Sequence, residues 1–436
     1  MPSATGAPLV PDPGMELGDL AAGRSSTRRS LRALDALNFL MADVQGGLGP
    51  YLSVFLVSQR WQPGSIGIAM AATSITAAIF QIPAGLAVDA TRHKRGLVAA
   101  SGLVIAAACL VIAGLPQLAP VTAAQTAIGA ASALVPPTLA ALALGIAGRA
   151  RFDATISRNQ AFNHAGNFAA AGLVGVLGQL AGILWIFYLI CGFAAASAAS
   201  ALLIARRDID HRAARGGEAA RTASGQPEPL PIRSLMRRRD LIAFLGAVVL
   251  FHFGNAAMLP MAGQVLARSH PGRATIALSA CIIVAQLVMT GMAWAVGRAV
   301  ARGIGRKPIF LVAYALLPVR GLLFSVTDNP YAVVGIQLLD GVAAGIFGVV
   351  AILIAADLMR GTGRFNLAQG LVALSVGIGA SLSNVVGEYA VQWFGYPVGF
   401  LTLAAIAAGA FLYFLRLVPE TGAAHAAAAV AGRRAA

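Results

Sequence analysis

Twelve long apolar stretches, arranged as two sets of six, fill this chain between residues 31 and 418. A helix needs about 20 apolar residues to cross a bilayer. Inside lipid, only helices and closed barrels satisfy their own backbone groups. The stretches run near Leu31–Ser58, Pro63–Ala90, Gly96–Leu115, Val121–Gly148, Ala154–Ala181, Ile183–Ala205, Leu241–Ala267, Thr275–Gly297, Ile309–Val326, Tyr331–Met359, Phe365–Trp393 and Tyr396–Leu417. These lengths predict an all-α membrane protein with twelve transmembrane helices. Only 11% of the 436 residues are charged, where a soluble domain carries roughly 25%.

A net charge of +15 in a soluble protein would point to nucleic acid. Its placement here points to topology instead, and no nucleic-acid partner is expected. Arg24, Arg28, Arg29 and Arg32 precede the first stretch, and Arg92, Lys94 and Arg95 follow the second. Arg149, Arg151 and Arg158 follow the fourth, and nine arginines lie between Arg206 and Arg239. Arg298, Arg302, Arg306 and Lys307 follow the eighth, Arg360 and Arg364 the tenth, and Arg416, Arg433 and Arg434 the last. Only Arg60, Arg268 and Arg273 fall on the opposite side, and Arg320 alone lies within a stretch. Positive charge is retained in the cytoplasm during insertion, so both termini are expected there.

The reading divides the chain into a disordered tail (1–30), a first six-helix bundle (31–205), a cytoplasmic linker (206–239), a second six-helix bundle (240–418) and a tail (419–436). Residues 1–30 lack the apolar core of a cleavable signal peptide. The linker holds Gly216-Gly217 and Pro227-Glu-Pro229, a polar composition that suits a solvated connection. Cys109, Cys191 and Cys281 are scattered through apolar stretches, which suits packing; neither a metal nor a cofactor is expected.

The halves repeat in parallel. Gln125 and Gly129 in the fourth stretch match Gln337 and Gly341 in the tenth, at the same i, i+4 spacing. Arg151-Phe152 and Arg364-Phe365 follow them, and Phe39…Gly49 aligns loosely with Phe244…Gly254. Gly172, Gly175 and Gly178, and Gly341, Gly345 and Gly348, are placed for close helix approach. Pro50, Pro83, Pro136-Pro137, Pro260 and Pro318 are candidate kinks.

The second and eighth stretches each run into a short basic loop. The first reads Gly85-Leu-Ala-Val-Asp89-Ala-Thr-Arg92-His-Lys94-Arg95, and the second ends Gly305-Arg306-Lys307-Pro308. Here the chain resembles the major facilitator superfamily, whose loop motif runs Gly-x-x-x-Asp-Arg-x-Gly-Arg-Lys. The first copy keeps Gly85, Asp89 and Lys94; the second keeps Gly305, Arg306 and Lys307 but has Arg302 at the aspartate position. The resemblance implies two six-helix bundles related by a pseudo-two-fold axis. It also implies a gating latch in which Asp89 reaches the positive N-terminus of the eleventh helix, near Gly363–Asn366. The arginine that the family places four residues before a glycine in the fourth helix is Gln125 here. The Gly-Pro of drug–proton exchangers is missing from Gly166–Gly172.

Charge at mid-bilayer is costly and usually faces a cavity or a partner. Asp43 lies near the middle of the first stretch beside Gln45, where the resemblance implies a substrate or proton carboxylate. Arg320 and Asp340 are the other mid-depth charges, on adjacent antiparallel stretches, and are expected to pair either as a static tie or as a pair that opens for an ion. Asn159, Gln160, Asn163, His164 and Asn167 share one side of the fifth stretch, and His252 and Asn255 sit three apart on the seventh. Read as interhelical hydrogen bonds each is ordinary; together they favour a polar site between the halves. Glu388, with Asn384, and Asp357 are read as rim or gate charges.

The expected function is secondary active transport of a small solute by alternating access, proton-coupled, with export favoured, in a monomer of the bacterial inner membrane. A transporter-like sensor without flux, or an uptake symporter or uniporter, are the alternatives. No phosphate-binding loop of the Gly-x-x-x-x-Gly-Lys-Ser/Thr type is present to bind ATP, and no hydrolytic motif supports an enzyme.

Overall fold

The structure, a computed structural model, describes residues 13–46, 48–148, 151–211, 213–215, 237–359 and 365–421. The first half comprises α1 (Pro13–Gly46), α2 (Leu48–Ser58), α3 (Pro63–Ala90), α4 (Lys94–Gly114), α5 (Leu118–Ala147), α6 (Phe152–Leu180) and α7 (Leu184–Leu203). The second comprises α8 (Arg239–Asn255), α9 (Met258–Ser269), α10 (Ala274–Ala301), α11 (Arg306–Ser325), α12 (Pro330–Leu358), α13 (Phe365–Phe394) and α14 (Tyr396–Leu417). Among the described residues, ten helical segments are long and apolar enough to cross a membrane, with α8 and α9 counted as one, and α2 is a shorter apolar helix. The polar run from Asn159 to Asn167 makes α6 the least apolar of the long helices after α1.

The expected seventh span is two helices, α8 and α9, and a proline accounts for the break; Gly47, between α1 and α2, lies outside the described residues. Proline removes a donor, and its ring crowds the carbonyl four residues earlier. Pro260 stands four after Ala256, where α8 is capped. Pro83, Pro136-Pro137 and Pro318 stay within continuous helices. The segment 13–30, expected to be disordered, is helical and runs into the first span. Pro13 at its start and the Met, Leu, Ala and Arg residues that follow favour a helix that the span then extends.

The main contacts between the halves obey a two-fold relation, with α3 packed on α13, α6 on α10 and α2 on α9, and α2 also touches α10. The end holding α2, α9 and the start of α3 is called the far end below; the basic loops mark the other. At the far end the halves share one apolar core, in which Tyr51, Phe55 and Ile66 meet Met261, Leu266, Leu278 and Phe400. Towards the basic end the second half has a core of its own, built on Phe244, Phe251, Phe310, Tyr314 and Phe414.

The far end is therefore closed, and polar contacts reinforce the seam. Tyr51 and Ser279 hydroxyls lie 2.7 Å apart, and Ser53 Oγ donates to the Pro260 carbonyl at 3.0 Å. The Gly64 amide donates to Gln392 Oε1 at 2.9 Å. Gly175 and Gly178 let α6 approach α10, since a methyl group at Gly175 would stand 2.9 Å from the Ser279 side chain. Gly341 and Gly345 do the same for α12 on α10 within the second half, whereas Gly172 and Gly348 face open space.

Candidate functional site

Four side chains from three helices of the second half close a polar network at mid-depth. Arg320 on α11 is 1% exposed and pairs with Asp340 on α12 at 2.9 Å. The same Nη1 donates to Asn255 Oδ1 at 2.5 Å, and Nη2 donates to Gln337 Oε1 at 3.0 Å. Each amide returns a donor to the carboxylate: Gln337 Nε2 to Asp340 Oδ2 at 2.8 Å, and Asn255 Nδ2 to Asp340 Oδ1 at 3.3 Å. Both carboxylate oxygens are therefore satisfied, while Arg320 Nε has no hydrogen-bond partner and the guanidinium lies 5.2 Å from the Phe324 ring centroid.

The helix break explains how Asn255 arrives. It is the last residue of α8, and the backbone freed after it by Pro260 turns the amide towards α11 and α12. Gln337 and Asp340 are three apart on α12 and so share a face. Gln337, singled out in the sequence only as a marker of the repeat, is thus a member of the network. Its i, i+3 spacing to Asp340 was the signal that places it there. The matching Gln125 in the first half is also buried, but its Oε1 has no hydrogen-bond partner.

His252 does not join directly. Its Nδ1 lies 3.1 Å from the Val248 carbonyl, and its ring packs edge-on to Phe347 at 4.7 Å. His252 and Cys281 are nonetheless within Coulombic reach of Asp340. From the opposite half, the polar face of α6 turns towards α10. His164 Nδ1 lies 3.3 Å from Gln286 Oε1, and Asn167 Nδ2 donates to Asn163 Oδ1 at 3.3 Å. Asn159 is buried and its Oδ1 has no hydrogen-bond partner. Beside it, Arg158 pairs with Asp35 of α1, an ion pair that nothing local in the sequence announces.

The side chains of Asp43, Gln45 and Asp89 lie outside the described residues, as do Arg360–Arg364 and the side chains of Phe365 and Asn366, so the expected latch does too. The hydrogen bonds and ion pairs described for Lys94 and Arg306 lie within their own halves. Lys94 is buried and donates to the Val88 and Thr91 carbonyls at 2.7 and 2.9 Å, closing the C-terminus of α3. Gly85 has open space around it. Gly305 precedes α11, whose Arg306 and Lys307 amides donate to the Glu420 carboxylate at 2.9 and 3.0 Å. Arg306 also pairs with Asp357 at 3.2 Å. Asp357 is therefore a half-buried tie between α11 and α12 rather than a free rim charge. Glu388 is no rim charge either. It is fully buried, with Gln264 Nε2 donating to its Oε1 at 2.5 Å. Both acids sit near helix ends in sequence, and packing by neighbouring helices, invisible there, covers them.

The profile described as the Major Facilitator Superfamily matches residues 34–319 and 295–435. The chain belongs to the Major Facilitator Superfamily. An MFS-type transporter of Mycobacterium tuberculosis, in strains CDC 1551 and H37Rv, is 44% identical over 396 residues, covering 90% of this chain and 94% of the relative. Among solved structures, the nucleoside transporter NupG superposes with a TM-score of 0.73 at 15% identity, covering 89% of this chain and all of that one. A peptide transporter POT gives 0.72 at 14%, covering 90% and 95%. A D-xylose-proton symporter gives 0.65 at 13%, covering 91% and 98%. The protein is thus a multi-pass membrane transporter of bacterial type and not an enzyme.

Proposed function

We propose that this superfamily transporter moves a small polar solute by alternating access, with proton coupling, through a site between the halves. The second half contributes Asn255, Arg320, Gln337, Asp340 and His252; Asn163, His164 and Asn167 contribute from the first, and Asp43 and Gln45 are assigned to it by depth. The observation that carries the reading is the Arg320–Asp340 pair held between two amides. Such a network presents both a cation and an anion, and amides that swap partners when a solute competes for either. The solved neighbours named for nucleosides, peptides and D-xylose support a polar solute, and the one named a proton symporter supports coupling.

The basic end is assigned to the cytoplasm by the positive-inside rule, which places both termini there. The direction we propose is export, with protons entering; the fold shared with a symporter keeps uptake as the second reading. The test is thermal stabilisation by nucleosides, dipeptides and pentoses, followed by flux of the stabilising solute from proteoliposomes under opposed pH gradients. Exit that quickens when the opposite side is acidified supports export. Flux indifferent to either gradient would overturn coupling, and a stabilising solute that never crosses would mark a sensor.

A further inference from the structure

Glu388 is the most deeply buried acid among the described residues, and it sits on the seam between α3 and α13. It projects from α13 towards α3 and α9 near the far end. A methyl group at Gly67 of α3 would stand 2.8 Å from its Cβ, so only a glycine leaves it room there. Gln264 of α9 donates to Oε1, and the Tyr396 hydroxyl of α14 donates to Gln264 Oε1 at 3.0 Å. Oε2 has no hydrogen-bond partner. The ionisable groups that act on it are Arg268 and Tyr396; Tyr389 follows it on α13 and packs at Gly64, and α3 presents none near it among the described residues. Arg268 makes no ion pair with it. Its guanidinium lies over the Tyr396 ring, 5.1 Å from the centroid, at the wall of a far-end cavity of about 740 Å³ that Arg60 and Trp61 also line.

A bare carboxylate in this setting carries an orphaned charged oxygen, a costly arrangement away from water. A proton on Oε2 neutralises it and turns an unsatisfied acceptor into a donor. One helical turn away on the same face, Asn384 Oδ1 is buried and lacks any donor. We propose that Glu388 is a proton-binding site, filled while the far end is closed and emptied to that side when α3 parts from α13. The proton passes between Oε2 and vestibule water, with no other bond made or broken. Arg268, already at the cavity wall, is placed to meet the charge left behind. The site rests on the far end opening as one transport state, but not on which solute is carried.

The experiment uses the full chain in lipid nanodiscs, with spin labels at Gln117→Cys and Asp328→Cys, two exposed far-end positions in opposite halves, on a background freed of Cys109, Cys191 and Cys281. The ligand probed is the proton alone. Between acid and alkaline buffer the distance distribution is expected to move from the short to the long population, and E388Q to hold the short one throughout. E388Q keeps the Gln264 contact and the shape of the side chain, and acid-minus-alkaline infrared difference spectra give a second readout. The protonated-carboxyl stretch present in the parent is expected to vanish in E388Q. An E388Q that shifts like the parent, or keeps that band, overturns the site. So does a parent that shows both distances in proportions blind to pH, an outcome that leaves alternating access standing. A single distance under every condition would overturn both.

Discussion

At the scale of single residues, the second half stakes its mid-depth stability on partner count. Arg320 is buried almost completely, whereas the Asp340 side chain is 16% exposed. Removing one member of a buried pair costs about 3–5 kcal/mol when the survivor stays dry and charged. D340N strands the buried guanidinium, while R320Q strands a carboxylate that still reaches solvent and keeps two amide donors. Thermal unfolding in one detergent should therefore rank D340N below R320Q, with the R320Q/D340N double variant recovering part of the loss. Equal losses would contradict the asymmetry. The four-member network was half legible in the sequence. Arg320 and Asp340 stand out because charge at mid-depth is rare, and Asn255 because it follows His252 on a polar face. Pro260 marked a candidate kink, but nothing linear reveals that the helix ends at Asn255 and swings its amide to both partners. The same blindness hid the Asp35–Arg158 pair, whose members are 123 residues apart.

At the scale of elements, helix ends and helix seams obey different rules. The α11 N-terminus has two amides capped by Glu420 from the chain beyond α14. Losing such a cap costs about 0.5–2 kcal/mol, so E420A is expected to lower the melting temperature without altering far-end distances. A drop confined to flux would contradict a purely capping role. Seams within a half and between halves should respond differently to bulk. G341V wedges α12 from α10 inside one bundle, where overpacking costs about 1–3 kcal/mol. G178V wedges α6 from α10 between bundles, so it is expected to open the far end instead of unfolding the chain. A cysteine at buried Ser53 reports this: alkylation by a membrane-impermeant maleimide should quicken in G178V and not in G341V. The glycine spacing in the sequence marked all these positions alike. Only the packing partners separate the seams, and they leave Gly172 and Gly348 with none within reach.

At the scale of the molecule, the apolar pattern, the charge asymmetry and the half-against-half repeat made the fold legible from the chain alone, because lipid leaves few alternatives. What the chain could not show is its state: a core shared by both halves at the far end, with Tyr51, Ser53 and Gly64 of the first half tied to the second. Two bundles joined by seams that obey a two-fold relation suit rocking about a central site, with the ends opening in turn. That central claim is tested by measuring both ends in the same nanodisc preparation. One spin-label pair sits at the far end, on Gln117→Cys and Asp328→Cys; the other sits at the basic end, on the exposed Arg92→Cys and Arg302→Cys. Across buffers and lipids, the fraction with a long far-end distance should equal the fraction with a short basic-end distance. Distances that lengthen together at both ends, or basic-end distances that ignore the far end, would contradict the account.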